Sequence, residues 1–245
     1  MNEMEVDRAD LLAIVAHPDD AELICGGTLR KTAKQGYRTA ILDLTGGESG
    51  TWGTPQKRAM EAEKAAEILG VSVRRNAGLP DGALSNDNES RKIVAEIIRE
   101  IRPETIILHW REGRHPDHTA ASQLGHDAAF LAGLENAPIK GEPHRPRKVI
   151  YALAYREEPI KPTFVVDITE EIDDKLDAIF AYHSQLEGKT ALGEIFGGGE
   201  RPIREQILAH AAHYGSLIRR PYGEPFWTRE TVQIEDLVTI PVNSF

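Results

Sequence analysis

The chain has one cysteine, no long apolar run and no excess of basic residues, and each shortage excludes a class of protein. A single thiol, Cys25, forms neither an intramolecular disulfide nor a cysteine-based zinc site. No apolar run approaches the roughly 20 residues needed to span a bilayer. The segment from Met1 to Asp10 is acidic and lacks the basic and apolar regions of a secretory leader. Lys and Arg total 29 against 39 Asp and Glu, a formal net charge of −10, so the chain has no general attraction for phosphate backbones or anionic lipid. What is present is ordinary for a globular chain: 245 residues, 40% hydrophobic and 28% charged, enough for a sizeable core. The expectation is a cytosolic (cytoplasmic) enzyme or binding domain, with no nucleic acid and no membrane among its partners.

Leu11 to Ala16, Thr39 to Leu44 and Thr105 to Leu108 are short, almost wholly apolar runs, the pattern of central parallel strands covered on both faces. Helical stretches separate them. The first runs from about Ala21 to Gln35 and stops at Gly36. In the second, Ala62, Ala65, Ala66 and Leu69 fall on one stripe that ends at Gly70. Ile93, Ile97 and Ile101 mark a third, and a fourth follows from roughly Thr119 to Leu131. This alternation predicts right-handed crossovers and an α/β fold: a doubly wound, Rossmann-like, mostly parallel sheet with helices on both faces. The second half is less regular. Lys148 to Ala154 and Thr163 to Ile168 read as strands, and Thr169 as the cap of a helix whose first turn carries Glu170, Glu171 and Asp173. Residues 193–201 are glycine-rich and read as a loop, and a helix is expected from Arg204 to Tyr214. No linker or repeat interrupts the chain, which predicts a single domain over residues 1–245 with a C-terminal elaboration from about residue 145.

Two clusters carry the chemistry. His17-Pro18-Asp19-Asp20 directly follows the first strand, and His115-Pro116-Asp117-His118 follows the third after a short loop. In an open α/β sheet the carboxyl ends of the strands build the ligand crevice, so both clusters belong to one edge. A lone His-Pro or Asp-Asp pair is usually a solvated turn; two such clusters, each behind a strand, point instead to a metal. His17 and Asp20 offer an imidazole nitrogen and a carboxylate oxygen that can converge on one ion. Two imidazoles and one carboxylate with an open position make the composition of a catalytic zinc site, which acidifies water and polarises a carbonyl. Amide hydrolysis further needs a base, an oxyanion donor and an acid for the leaving amine, and the spare side chains of the two clusters suffice. Cys25 falls inside the first helix and reads as a small buried side chain. Gly26 and Gly27 read as close-packing positions rather than a phosphate cradle. His109, His126, His144, His210 and His213 have no partnered spacing and read as surface or satisfied core histidines.

These residues resemble a known family. Ala16 to Glu22, Gly26 to Leu29 and Arg114 to His118 look like the LmbE-like (PIG-L) zinc-dependent N-acetylglucosaminyl deacetylases. Asp43 to Glu48, Gly78 to Gly82, Pro162 to Ile168 and Tyr182-His183-Ser184-Gln185 are similar to the same family, most closely to its bacillithiol-biosynthesis branch, whose members deacetylate N-acetylglucosaminyl-malate. The resemblance implies His17, Asp20 and His118 as metal ligands for Zn2+, with Fe2+ compatible with the same set. It implies Asp19 as general base, and His115 as the cation that stabilises the oxyanion, with Asp117 raising its affinity for a proton. Arg58 matches an arginine that holds the polar or anionic end of the substrate; its bland alternative is a solvated residue of a first helical turn. Glu48 and Ser49 are placed to contact sugar hydroxyls or simply to form a turn. The sequence departs from the family at Trp52, which can stack on a sugar or cover the pocket, and at His109 and Trp110, where aliphatic or small residues are commoner. An amino-sugar conjugate is the implied small-molecule partner, and a homo-oligomer (trimer or hexamer) the implied assembly.

Two rivals fit part of the pattern. Non-haem iron oxygenases use two histidines and a carboxylate, but in a jelly-roll barrel rather than a parallel sheet. A non-catalytic sugar- or nucleotide-binding α/β module would leave the histidines incidental, and the missing glycine-rich turn after Ala16 argues against a nucleotide.

Overall fold

The computed structural model describes residues 8–155, 160–186 and 201–242. The apolar runs become β1 (Leu11–Val15), β2 (Thr39–Thr45) and β4 (Thr105–His109), side by side at the centre of the sheet, where both faces are covered. β3 (Val73–Leu79) and β5 (Lys148–Ala152) flank them in parallel. β7 (Gly223–Trp227) then runs antiparallel to both β5 and β6 (Phe164–Asp167). The order among the described residues is β3-β2-β1-β4-β5-β7-β6, the mostly parallel α/β sheet that the patterning predicts.

Successive strand residues point to opposite faces, which divides the core in two. On one face Ala13, Val15, Ile41 and Ile107 pack with α1 (Asp20–Lys34), α2 (Pro55–Leu69), α5 (Ile172–Phe180) and α7 (Ile203–Leu217). On the other, Leu12, Ile14, Leu42 and Leu108 pack with α3 (Asn88–Ile101) and α4 (Pro116–Ala132). A single turn, α6 (His183–Leu186), follows α5. No helix among the described residues is long and apolar enough to cross a membrane.

Some expectations need correction. β3 escapes the hydrophobic pattern because its sequence, Val-Arg-Arg-Asn-Ala-Gly-Leu, is that of a largely polar edge strand. Thr169 does not cap α5: its hydroxyl donates to Asp167 Oδ1 at 2.6 Å, and the cap position falls on Glu171. Of the glycine-rich stretch, residues 193–200 lie outside the described residues.

The first helix is also broken. At Cys25 the backbone leaves helical geometry (φ −150°, ψ 18°). A continuous helix would join the Gly27 N–H to the Leu23 carbonyl. Instead the N–H donates to Glu224 Oε1 at 2.9 Å, and the carbonyl accepts from Lys175 Nζ at 2.7 Å. The Thr28 N–H and hydroxyl donate to Glu224 Oε2 at 2.7 and 2.6 Å, and Lys175 pairs with Glu224 at 2.5 Å. One buried ion pair thus satisfies both halves of the missing helical bond. Gly27 is needed for close approach, since a Cβ there would lie 2.8 Å from the Ile168 side chain. Cys25 is buried, and burial first and the Glu224 charge second push its thiol pKa well up, as suits an inert packing residue. Glu224→Gln strands a buried Lys175 charge and should cost about 3–5 kcal/mol. Urea unfolding measures this; a loss under about 1 kcal/mol would show that the pair does not hold the break.

Candidate metal centre and active site

The site starts where β1 ends. Ala16 is fixed from both sides: its N–H donates to His109 Nε2 of β4 at 3.1 Å, and its carbonyl accepts the Thr45 N–H and hydroxyl of β2, each at 3.0 Å. The chain then turns through Pro18. Asp20 N–H donates to the His17 carbonyl at 3.3 Å, and His17 N–H donates to Asp20 Oδ2 at 2.8 Å. Asp19, at the tip, has φ 116°, a region that costs a non-glycine residue about 1–3 kcal/mol. Such strain at the head of α1 is a functional signature rather than a folding need.

Asp20 is the hub. Its Oδ1 lies 3.2 Å from His118 Nε2, and its Oδ2 lies 3.3 Å from both His17 Nδ1 and His109 Nε2. The ligand atoms of His17, Asp20 and His118 all fall within 4.8 Å of one another. Two imidazoles and a buried carboxylate at that spacing fit a divalent ion with a position to spare. The other nitrogen of His17, Nε2, faces Asp81 Oδ1 at 3.0 Å and Asp117 Oδ2 at 3.3 Å, the carboxylate–imidazole arrangement that fixes the tautomer of a metal ligand. His17, His115 and Asp117 form a second close group. It shares His17, and the Asp117 carboxylate already accepts the Gly82 and Leu84 N–H groups at 2.7 and 3.2 Å, so the first group is the better centre.

Burial and crowding set the protonation states. Burial alone would lower the pKa of His17, but the hydrogen bond and charge of Asp20, then Asp19 and Asp81, push it up to about 9. Asp20 is buried too, yet the charges of His118 and His109 hold it well below the usual carboxylate range. Asp19 goes the other way: burial first and the Asp20 charge second raise it to about 7, against Arg58 and His17. For His115, burial, then His118 and His17, lower the pKa and outweigh the opposing pull of Asp117. The sequence reading expects His115 as a cation supported by Asp117, and these pulls run against that charge. His115 Nδ1 accepts the Asp117 N–H at 3.2 Å as the cap of α4, which leaves the ring proton on Nε2.

Arg58 is buried, which removes the solvated alternative. Its Nη1 donates to the Gly47 carbonyl at 2.8 Å, its Nη2 lies 3.4 Å from Asp19 Oδ2, and its Nε has no partner among the described residues. Glu48 is a brace at the rim: Oε1 accepts the Asp81 N–H at 2.9 Å and Oε2 the Gly46 N–H at 3.1 Å. Ser49 likewise holds Asp81 through its N–H and hydroxyl at 2.7 and 2.9 Å. Trp52 stands outside the cluster with 58% of its surface exposed. Gly47 has φ +67°, and a Cβ there would come within 1.9 Å of Arg58 Nη1. Gly47→Ala should cost about 1–2 kcal/mol in backbone strain and evict the guanidinium, raising KM about tenfold. Thermal unfolding and steady-state kinetics read the two effects separately.

Two site residues escaped the sequence reading. Asp81 lies in the turn after a polar strand that carries no hydrophobic signal, although its Leu-Pro-Asp-Gly setting is visible. His109 lacks a sequence partner but is buried at the centre, stacked on His118 with ring centroids 4.3 Å apart. Burial, then the His118 charge, lower its pKa to about 4. A ring that accepts the Ala16 N–H through Nε2 has no proton there for Asp20, so it steadies the site by stacking. His210 is the satisfied core histidine expected, accepting the Tyr155 N–H at 2.9 Å.

A mostly parallel α/β sheet with a histidine–aspartate group at its carboxyl edge defines an α/β scaffold with a candidate metal centre, and the similarities narrow it. Residues 12–129 match the PIG-L family model, described as GlcNAc-PI de-N-acetylase. Diacetylchitobiose deacetylase of Thermococcus kodakarensis is 33% identical over 202 residues, covering 76% of this chain and 73% of that protein. Probable N-acetyl-alpha-D-glucosaminyl L-malate deacetylase 2 of Bacillus cereus is 32% identical over 195 residues, covering 72% of this chain and 84% of that protein. The crystal structure of a conserved protein from Thermus thermophilus superposes with a TM-score of 0.82 at 38% identity, covering 92% of this chain and 97% of that one. The chain belongs to the PIG-L, or LmbE-like, family.

Proposed function

We propose that this protein is a metal-dependent N-deacetylase that hydrolyses the acetamido group of an N-acetylglucosamine conjugate, with zinc as the metal. The observation that carries the reading is the convergence of His17, Asp20 and His118 beside a half-buried carboxyl, Asp19, whose proton affinity is raised to about 7. A divalent ion held by those three residues supplies Lewis acidity, which polarises a carbonyl and lowers the pKa of water. Asp19 takes the proton of the attacking water while the water oxygen bonds to the amide carbon. It then returns that proton to the nitrogen as the C–N bond breaks, giving acetate and a free amine. His115 donates from Nε2 to the developing oxyanion. Asp81 and Asp117 hold His17 in register. An acid–base group near neutrality suits both transfers, because it can accept and give a proton without a large energetic step.

Among conjugates we propose the malate glycoside, the substrate named for the Bacillus cereus relative. Arg58 supports this reading: its Nε has no partner among the described residues, which leaves a guanidinium donor for a carboxylate. A second reading, N,N'-diacetylchitobiose, is favoured by the exposed indole of Trp52, which presents a flat face for another sugar ring. The test is acetate release from a panel of N-acetylglucosamine conjugates (malate, inositol, disaccharide, free sugar), with metal content measured in parallel. A malate kcat/KM at least about tenfold above the rest supports the first reading, and a disaccharide preference supports the second. No acetate from any member with metal bound would sink the proposal.

A further inference from the structure

The segment after α5 lies behind the site, and three of its four residues reach three different parts of it. The Tyr182 hydroxyl donates to Glu22 Oε1 at 3.2 Å, in the first turn of α1 just past Asp20. The Ser184 N–H and hydroxyl donate to Glu61 Oε1 and Oε2 at 2.8 and 2.6 Å, and Glu61 is buried on α2 one turn after Arg58. Gln185 Nε2 donates to the Trp52 carbonyl at 2.7 Å. Gly53, with φ +83°, presses the loop against this segment so closely that a Cβ would lie 2.9 Å from Ser184 Oγ.

The gripped loop, residues 48–54, is exposed throughout and leads into the first turn of α2, which carries buried Arg58. Packing therefore does not set its shape; anchoring bonds must. We propose that Ser184 and Gln185 are positioning residues for the substrate subsite. They hold the 48–54 loop and the start of α2 from behind, so that Trp52 and Arg58 are already arranged when substrate arrives. The inference rests on the reading above for the roles of Trp52 and Arg58. Ordering a loose loop on binding costs affinity, and an anchor that orders it beforehand removes that cost. The anchor touches neither the metal ligands nor Asp19, so its loss should appear in KM and leave kcat alone.

Two variants test this. Gln185→Ala removes the anchor, and Gln185→Glu keeps its size but replaces the donor with an acceptor facing the Trp52 carbonyl. The bond that chymotrypsin would cut after Trp52 carries the very carbonyl that Gln185 holds. Both variants should be cleaved there about tenfold faster without substrate, with KM raised about tenfold and kcat and metal content within about twofold of the parent. Unchanged cleavage and unchanged KM in a folded variant overturn the proposal, as does a fall in kcat with KM constant. Should the parent hydrolyse no amino-sugar amide, the functional reading fails, while the cleavage rate alone still decides whether Gln185 anchors the loop.

Discussion

Asp19→Asn should leave a folded protein with its full metal content and about a thousandfold less turnover, within the range for losing a general base. Asparagine is the informative replacement. Position 19 has φ 116°, and asparagine tolerates positive φ better than alanine, so the tip of the turn should keep its shape. The amide cannot accept the water proton or return one to the amine. Removing the charge also relieves the repulsion with Asp20, which contributes to the raised proton affinity of Asp19. Metal retention is therefore expected, and metal content measured beside acetate release separates a lost base from a lost ion. Hydrolysis at the parent rate would show that Asp19 is not the base.

Asp20→Ala should abolish stoichiometric metal binding and, with it, activity. Among the described residues its carboxylate is the one group approached by His17, His109 and His118 together, and it also accepts the His17 N–H. Asp81→Asn provides the scale. It changes an outer partner of His17, for which a loss of about 10- to 100-fold in metal affinity is typical. The Asp20 variant should exceed that, and the Asp81 variant should recover activity when metal is added in excess. Equal metal affinity for Asp20→Ala and the parent would move the centre elsewhere.

What could be read from the sequence follows burial. β1, β2 and β4 were legible because strands covered on both faces are apolar throughout, and the two His-Pro-Asp clusters were legible because they follow such strands. β3 was not, since an edge strand keeps arginines and an asparagine, and Asp81 went unassigned with it. β7, with Gly223 and Pro225, has neither periodicity nor a β-branched run. The motif named the site's types but not its wiring. That Asp117 faces His17, or that His109 lies under His118, depends on pairings across the sheet edge that no local spacing encodes. Arg58 shows the limit most clearly: the resemblance singles it out, but its polar helix start gives no sign of burial, and only the fold buries it.

The splint across the break in α1 has a consequence for how the chain is made. The N–H groups of Gly27 and Thr28 are satisfied by Glu224, which lies 197 and 196 positions away. On the ribosome, the helix that presents Asp20 emerges early and waits, with its kink uncapped, until Glu224 has been translated. A nascent chain stalled before Glu224 therefore exposes a first helix with an unsatisfied kink to the chaperone machinery.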